Sequence, residues 1–166
     1  MKKLLYLSCS LIIGFCLGAI IKFTYEAIAF KPYSWKKPPT IINCYGKNFS
    51  EVSMIRAIHY WAVRDHQLGL YVHKPNSNLC KELWIEGYII IRRNNALPRN
   101  TLASTKRYTS VGNIKSAVID YNPGSFNLYL INEHELGHAL GFSHINEIGH
   151  IMNPMYKNMG LDFYIK

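Results

Sequence analysis

From His134 to His144 the chain reads HELGHALGFSH, and few ways of folding accommodate that run. In an α-helix, positions four apart lie about 40° from one another around the axis, one turn along. His134 and His138 therefore project from one face, and both imidazoles can reach a common ion at about 2.0–2.1 Å. Glu135 is offset by about 100°, beside such an ion rather than on it, where its carboxylate can act as a general base. His144 is six positions beyond His138. A continuing helix would carry it about 9 Å along the axis, away from the first pair. Gly141 supplies the exit, because glycine takes the left-handed conformation that ends a helix and lets the chain turn back. His144 then becomes a third ligand. Three neutral imidazoles leave one tetrahedral position open, the arrangement of a catalytic zinc site rather than a structural one. The competing reading is a helix with solvent-exposed histidines and a glycine cap. Leu130, Ile131, Leu136, Ala139, Leu140 and Phe142 argue against it, since they make the helix apolar on several faces. Histidines buried one turn apart need a partner.

The 166 residues suffice for one domain and a leader. The leader is legible: Lys2 and Lys3 precede an uncharged run from Leu4 to Ile21. Those eighteen residues would span about 27 Å as a helix, close to the hydrocarbon thickness of a bilayer. Residues 1–29 are read as a signal anchor, with a removed signal peptide ending at the Ala27–Ala29 "AIA" as the alternative. Either puts the rest of the chain outside the cytoplasm, membrane-anchored or secreted. Residues 30–39, rich in proline and lysine, read as a basic tether, and 40–166 as the folded domain. Cys44 and Cys80 can form a disulfide in an exported domain.

Within that domain the pattern predicts strand, helix, several strands, helix and a short tail: a mixed α/β (α+β) fold. "TIINCY" is β-like. A helix follows, capped by Ser50 or Asn48 and stopped by Gly69, with Val52, Ile55, Ile58, Ala62 and Val63 at helical spacing. "LYVHK", "LWIEGYIIIRRN", "TLASTKRY" and "KSAVIDY" read as strands. "NPGS" is a turn, with Ser125 expected to cap the histidine-bearing helix.

The extended motif, His-Glu-x-x-His-x-x-Gly-x-x-His, resembles the signature of the metzincin metallopeptidases. Met152, eight residues after His144 in "IMNPMY", resembles the methionine turn of the matrixin branch, and "SAVIDYNPG" resembles the strand and loop before its zinc helix. The resemblance covers about residues 115–156. It implies a twisted mixed sheet with an N-terminal helix and an active-site helix, and one catalytic Zn2+ on His134, His138 and His144. Glu135 would serve as general base, and Met152 would be a floor beneath the ion. Tyr156 would line the specificity pocket or help hold the oxyanion. A protein or peptide substrate would lie extended along an edge strand, for which "TLASTKRY" is the candidate. Some family features are missing. No Pro-Arg-Cys-Gly switch is visible, and Asn94–Asn113 contains no Asp, Glu or His for further zinc or calcium sites. With ten residues after Tyr156, the family's C-terminal helix is expected to be truncated or missing.

The implied activity is that of a zinc-dependent endopeptidase. Hydrolysis of peptidoglycan stem peptides, or a non-catalytic binding module on the same scaffold, are the alternatives. The +9 charge favours anionic neighbours without naming one. "RRNNALPRN" lacks the aromatic interleave of a nucleic-acid surface, so no nucleic acid is expected. A monomer is expected. His150 is a competing third ligand, disfavoured by the position of Gly141.

Overall fold

The computed structural model describes residues 33–46, 48–74 and 77–165. The leader expected at 1–29, with its hydrophobic helix and membrane partner, lies outside them. Among the described residues no helix is long and apolar enough to cross a membrane.

A six-stranded mixed sheet carries two helices on one face. The strands are β1 (Ser34–Trp35), β2 (Thr40–Asn43), β3 (Tyr71–His73), β4 (Tyr88–Arg93), β5 (Ala103–Ser110) and β6 (Asn113–Tyr121). The helices are α1 (Glu51–Ala62) and α2 (Ile131–Leu140). β6 pairs with β4 in parallel, β4 with β2 and β2 with β3; β1 adds in parallel to the start of β6. β5 pairs antiparallel with β6 and forms an edge of the sheet. In the central strand, Ile89 and Ile91 face the helices while Ile90 faces the opposite side, and all three are fully buried. Burial on both faces explains an unbroken apolar run where a half-exposed strand would alternate. On the far face Ile42, Ile90 and Val118 form a small cluster, covered by the turn at Asn78–Lys81. The Cys44–Cys80 disulfide pins that turn to the end of β2.

Several elements differ from the sequence pattern, each for a packing reason. Ser50 does cap α1, accepting from Ser53 N. The helix nevertheless ends at Ala62, well before Gly69. Gly69 serves a close approach instead: its N–H donates to Pro39 O, and a Cβ there would lie 3.0 Å from that oxygen. The buried face of α1 is Met54, Ala57, Tyr60 and Trp61, whereas Val52, Ile55 and Val63 are 79%, 52% and 61% exposed. Both stripes recur at helical spacing. The aromatic stripe can turn inward because its polar ends find carbonyl acceptors, Trp61 Nε1 donating to the buried Glu133 O and Tyr60 OH to Leu161 O. "LWIEG" is irregular, and only Tyr88–Arg93 of that run is strand. Ser125 starts a separate 3-10 turn and donates to the carbonyls of Asn122 and Leu102, so it does not cap α2. Part of the stretch read as a tether, Ser34–Trp35, joins the sheet, and the Trp35 indole donates to Ala139 O at the end of α2.

β5 and β6 are joined by Val111 and Gly112, both at positive φ (48° and 74°), as a two-residue type I′ hairpin requires. A β-branched residue is strained there, and Val111 is 94% exposed, so its side chain returns nothing by packing. Val111→Asn is expected to stabilise the protein by about 1 kcal/mol, measured by denaturant unfolding.

Candidate metal centre

α2 begins abruptly. Leu130, at its start, has φ 66° and offers no side-chain cap. The helix is held by burial instead, since Ile131 to Gly137 are all buried. Its end is set by Gly141 at φ 118°. Phe142 N donates to Gly137 O and Gly141 N to His138 O, a Schellman-type closure that satisfies two terminal carbonyls. No other residue would fit, because a Cβ at Gly141 would collide with Tyr33 O. Beyond this turn the chain doubles back, and His144 comes to face the helix it has just left.

The outcome is a cluster of His134, His138 and His144, whose ligand atoms all lie within 4.8 Å of one another. His138 Nε2 is 3.1 Å from His134 Nε2 and 3.0 Å from His144 Nε2. The opposite nitrogens decide what those short distances mean. His134 Nδ1 is 2.8 Å from Ile151 O, and His138 Nδ1 is 2.8 Å from Phe142 O. A carbonyl oxygen only accepts, so both Nδ1 atoms carry the proton and both Nε2 atoms present lone pairs. Two lone pairs 3.1 Å apart cannot hydrogen-bond. They can share a cation, and nitrogens arranged tetrahedrally at about 2.0–2.1 Å from zinc would be about 3.3 Å apart. Electrostatics agree. Burial lowers His134 to about 4 and His138 to about 3, the latter helped by His134, and it lowers His144 as well. The imidazoles are therefore neutral, as ligation needs. Three neutral nitrogen donors, two of them with carbonyl-fixed tautomers, fit a borderline-soft divalent ion such as zinc.

Glu135 is 4% exposed and is not part of the nitrogen cluster. Burial pushes its carboxyl up to about 7, and the Thr105 hydroxyl, donating to Oε2 at 2.6 Å, opposes the rise. Both residues line a cleft of about 560 Å³ between β5 and α2, with the three histidines, Leu102, Arg107 and Tyr156 also on its walls. Tyr156 stands at the start of a 3-10 turn and is 37% exposed. β5, the strand expected to be the substrate edge, forms one side of this cleft.

Met152 is fully buried directly behind α2. A Cβ at Gly137 would strike Met152 Sδ and the Trp61 ring, so the motif's middle glycine is a packing requirement of the methionine turn. His150 does not join the cluster. Its Nδ1 accepts from Met152 N, and its Nε2, 3.1 Å from Tyr164 O, donates to that carbonyl, which holds the tail against the turn.

Sequence reasoning overlooked several residues that position this site. Thr105 holds Glu135; Arg107 donates to His138 O at 3.0 Å; Arg56 pairs with the buried Glu133 at 2.6 Å; Trp61 and Trp35 donate to carbonyls of α2. The period-2 spacing of Thr105 and Arg107 puts them on one strand face. Nothing local to the sequence says that this face meets the helix.

A family model described as matrixin matches residues 50–164, and the chain belongs to that family of metallopeptidases. A stretch of 41 residues is 44% identical to interstitial collagenase A of Mus musculus. The similarity covers 25% of this chain and 9% of the collagenase.

Gly137→Ala should destabilise the protein by about 1–3 kcal/mol through overpacking, read as a lowered midpoint of chemical unfolding. Because the clash is with Met152 beneath the helix, the same variant should bind zinc more weakly in a competition titration.

Proposed function

We propose that the protein is a zinc-dependent endopeptidase. The observation that carries the reading is the pair of carbonyl-bound Nδ1 atoms on His134 and His138, which leaves their Nε2 lone pairs aimed at one point beside His144. His134, His138 and His144 would hold the ion. Bound there, zinc would bring the pKa of water toward about 7 and polarise the scissile carbonyl.

The chain's own groups would do the rest. Glu135 would take the proton of the attacking water and pass it to the leaving amine. A carboxyl raised by burial is suited to both halves of that transfer, because its pKa lies near the working pH. The Thr105 hydroxyl leaves one carboxylate oxygen engaged and the other available. The outer edge of β5 offers backbone groups to an extended peptide, and side chains on its helix-facing side line the cleft. Tyr156, on the cleft wall, would contact the side chain next to the scissile bond or the developing oxyanion. Met152 would touch no substrate and would keep α2 at its depth.

The Cys44–Cys80 disulfide supports work in an oxidising compartment, in keeping with export by residues 1–29. The substrate is therefore sought among extracellular or envelope peptides.

Purified protein should bind one equivalent of zinc by metal analysis and cleave peptides from an extended library, with casein and purified peptidoglycan assayed in parallel. Chelation should abolish cleavage and added zinc restore it. Glu135→Ala should retain the zinc and lose about 10²–10⁴-fold in kcat. Stoichiometric zinc with no hydrolysis of any substrate, or full activity in Glu135→Ala, would refute the enzyme reading.

A further inference from the structure

We propose that Arg107 forms a carboxylate-binding subsite in the cleft, which directs the protein to peptides bearing an aspartate or glutamate on one side of the cleaved bond. The inference rests on the peptidase reading above and specifies its substrate class.

Arg107 pairs with Ala117 and Thr105 with Ile119, so both strand residues lie on the sheet face that packs against α2. Thr105 reaches Glu135, and Arg107 reaches His138 O one turn later. Strand and helix therefore run in the same sense along the cleft. The guanidinium sits at the His138 carbonyl, toward the end of α2, while Leu102, just before β5, and Ile131, at the start of α2, line the cleft on the other side of Glu135. A substrate lying along β5 would meet an apolar wall on one side of the reacting centre and a cation on the other.

Among the described residues that cation has no counter-ion. Of the charged side chains described as lining the cleft, Glu135 is the one carboxylate, and Thr105 engages it; no ion pair is made by Arg107 among the described residues. Of the five N–H donors on Arg107, Nη1 serves His138 O. That contact fixes the side chain and leaves donors for a planar, two-oxygen acceptor, the geometry a carboxylate supplies. Arg92 shows the contrast, since the same residue type is matched there by Asp120 at 3.2 Å. A fixed, half-buried guanidinium without a carboxylate of its own discriminates between acid and amide more strongly than a solvated surface arginine.

The test uses the full chain and peptides acetylated and amidated at their termini, so that only side chains carry charge. Matched peptides differ by Glu, Gln or Lys at successive positions on either side of the bond. At one position kcat/KM should favour Glu over Gln by about tenfold, with Lys poorest. The same Glu:Gln ratio should appear in equilibrium binding to the uncleaving Glu135→Ala protein, read by fluorescence anisotropy. Arg107→Met should bring the ratio near one, and Arg107→Lys should keep part of it. Folding of both variants is checked by circular dichroism. If Arg107→Met fails to fold, the Glu, Gln, Lys order on the unmodified protein decides the matter. A ratio near one at every position, or a ratio unchanged in folded Arg107→Met, overturns the subsite. Binding that prefers Glu while no peptide is cleaved sinks the peptidase reading and upholds the subsite. Cleavage indifferent to Glu, Gln and Lys does the reverse.

Discussion

The site depends on two hydrogen bonds from ring nitrogens to backbone carbonyls. His134 Nδ1 to Ile151 O and His138 Nδ1 to Phe142 O commit the protons of both imidazoles and so decide what their other nitrogens can do. Neither carbonyl belongs to the helix that carries the histidines. One follows the glycine turn directly, and the other comes from the methionine turn. The segment after the helix therefore contributes in two ways, by bringing His144 to the cluster and by fixing the tautomers of the first two rings. A ligand nitrogen is useful only if its ring is held in the right tautomer and orientation, and here the main chain does the holding.

Beneath the cluster the constraints are steric. Gly137 lets Met152 Sδ and the Trp61 ring come up against the helix backbone, and Gly141 lets Tyr33 O approach at its end. Trp61, Trp35 and Arg107 each donate to a different carbonyl of α2, and Arg56 neutralises Glu133 on its buried side. A helix of ten residues is marginal alone. This one is fixed in depth and rotation by Trp35 and the Tyr33 carbonyl from β1 and the residue before it, Arg56 and Trp61 from α1, Arg107 from β5 and Met152 from the methionine turn. The result is a wall facing β5, with His134 and His138 set along it one turn apart and Glu135 beside them.

The two walls of the cleft differ in kind. The helix contributes imidazoles and a carboxylate whose properties follow from burial. The edge strand contributes side chains at every second position, Thr105 and Arg107, which act on the helix groups and remain at the surface of the cleft. An edge strand of this sort is an aggregation hazard unless it is kept charged or covered. Here its outward Lys106 and inward Arg107 provide charge on both faces.

The chain's local code was clearest where one residue type is chemically obligatory. His134, Glu135, His138, Gly141 and His144 follow from helical geometry plus the need for a reversal, and Met152 with its flanking turn completes a family pattern. The strands at Thr40–Asn43, Tyr88–Arg93 and Asn113–Tyr121 show in runs of branched residues, because burial on both faces removes the polar positions. Other features depend on which surfaces meet in three dimensions. α1 carries two apolar stripes, and packing against α2 chose Met54, Ala57, Tyr60 and Trp61 over Val52, Ile55 and Val63. Ser125 has the chemistry of a cap but spends its hydroxyl on the carbonyls of Leu102 and Asn122. Thr105 lies 30 positions from Glu135, and Arg107 lies 31 from His138. Sequence alone set the ligand types and the point at which the helix must break, since those are local properties of spacing and φ. Tertiary structure alone set the tautomers of His134 and His138, the partner of Glu135 and the contact of Arg107 with the His138 carbonyl, since each needs atoms that only folding brings together.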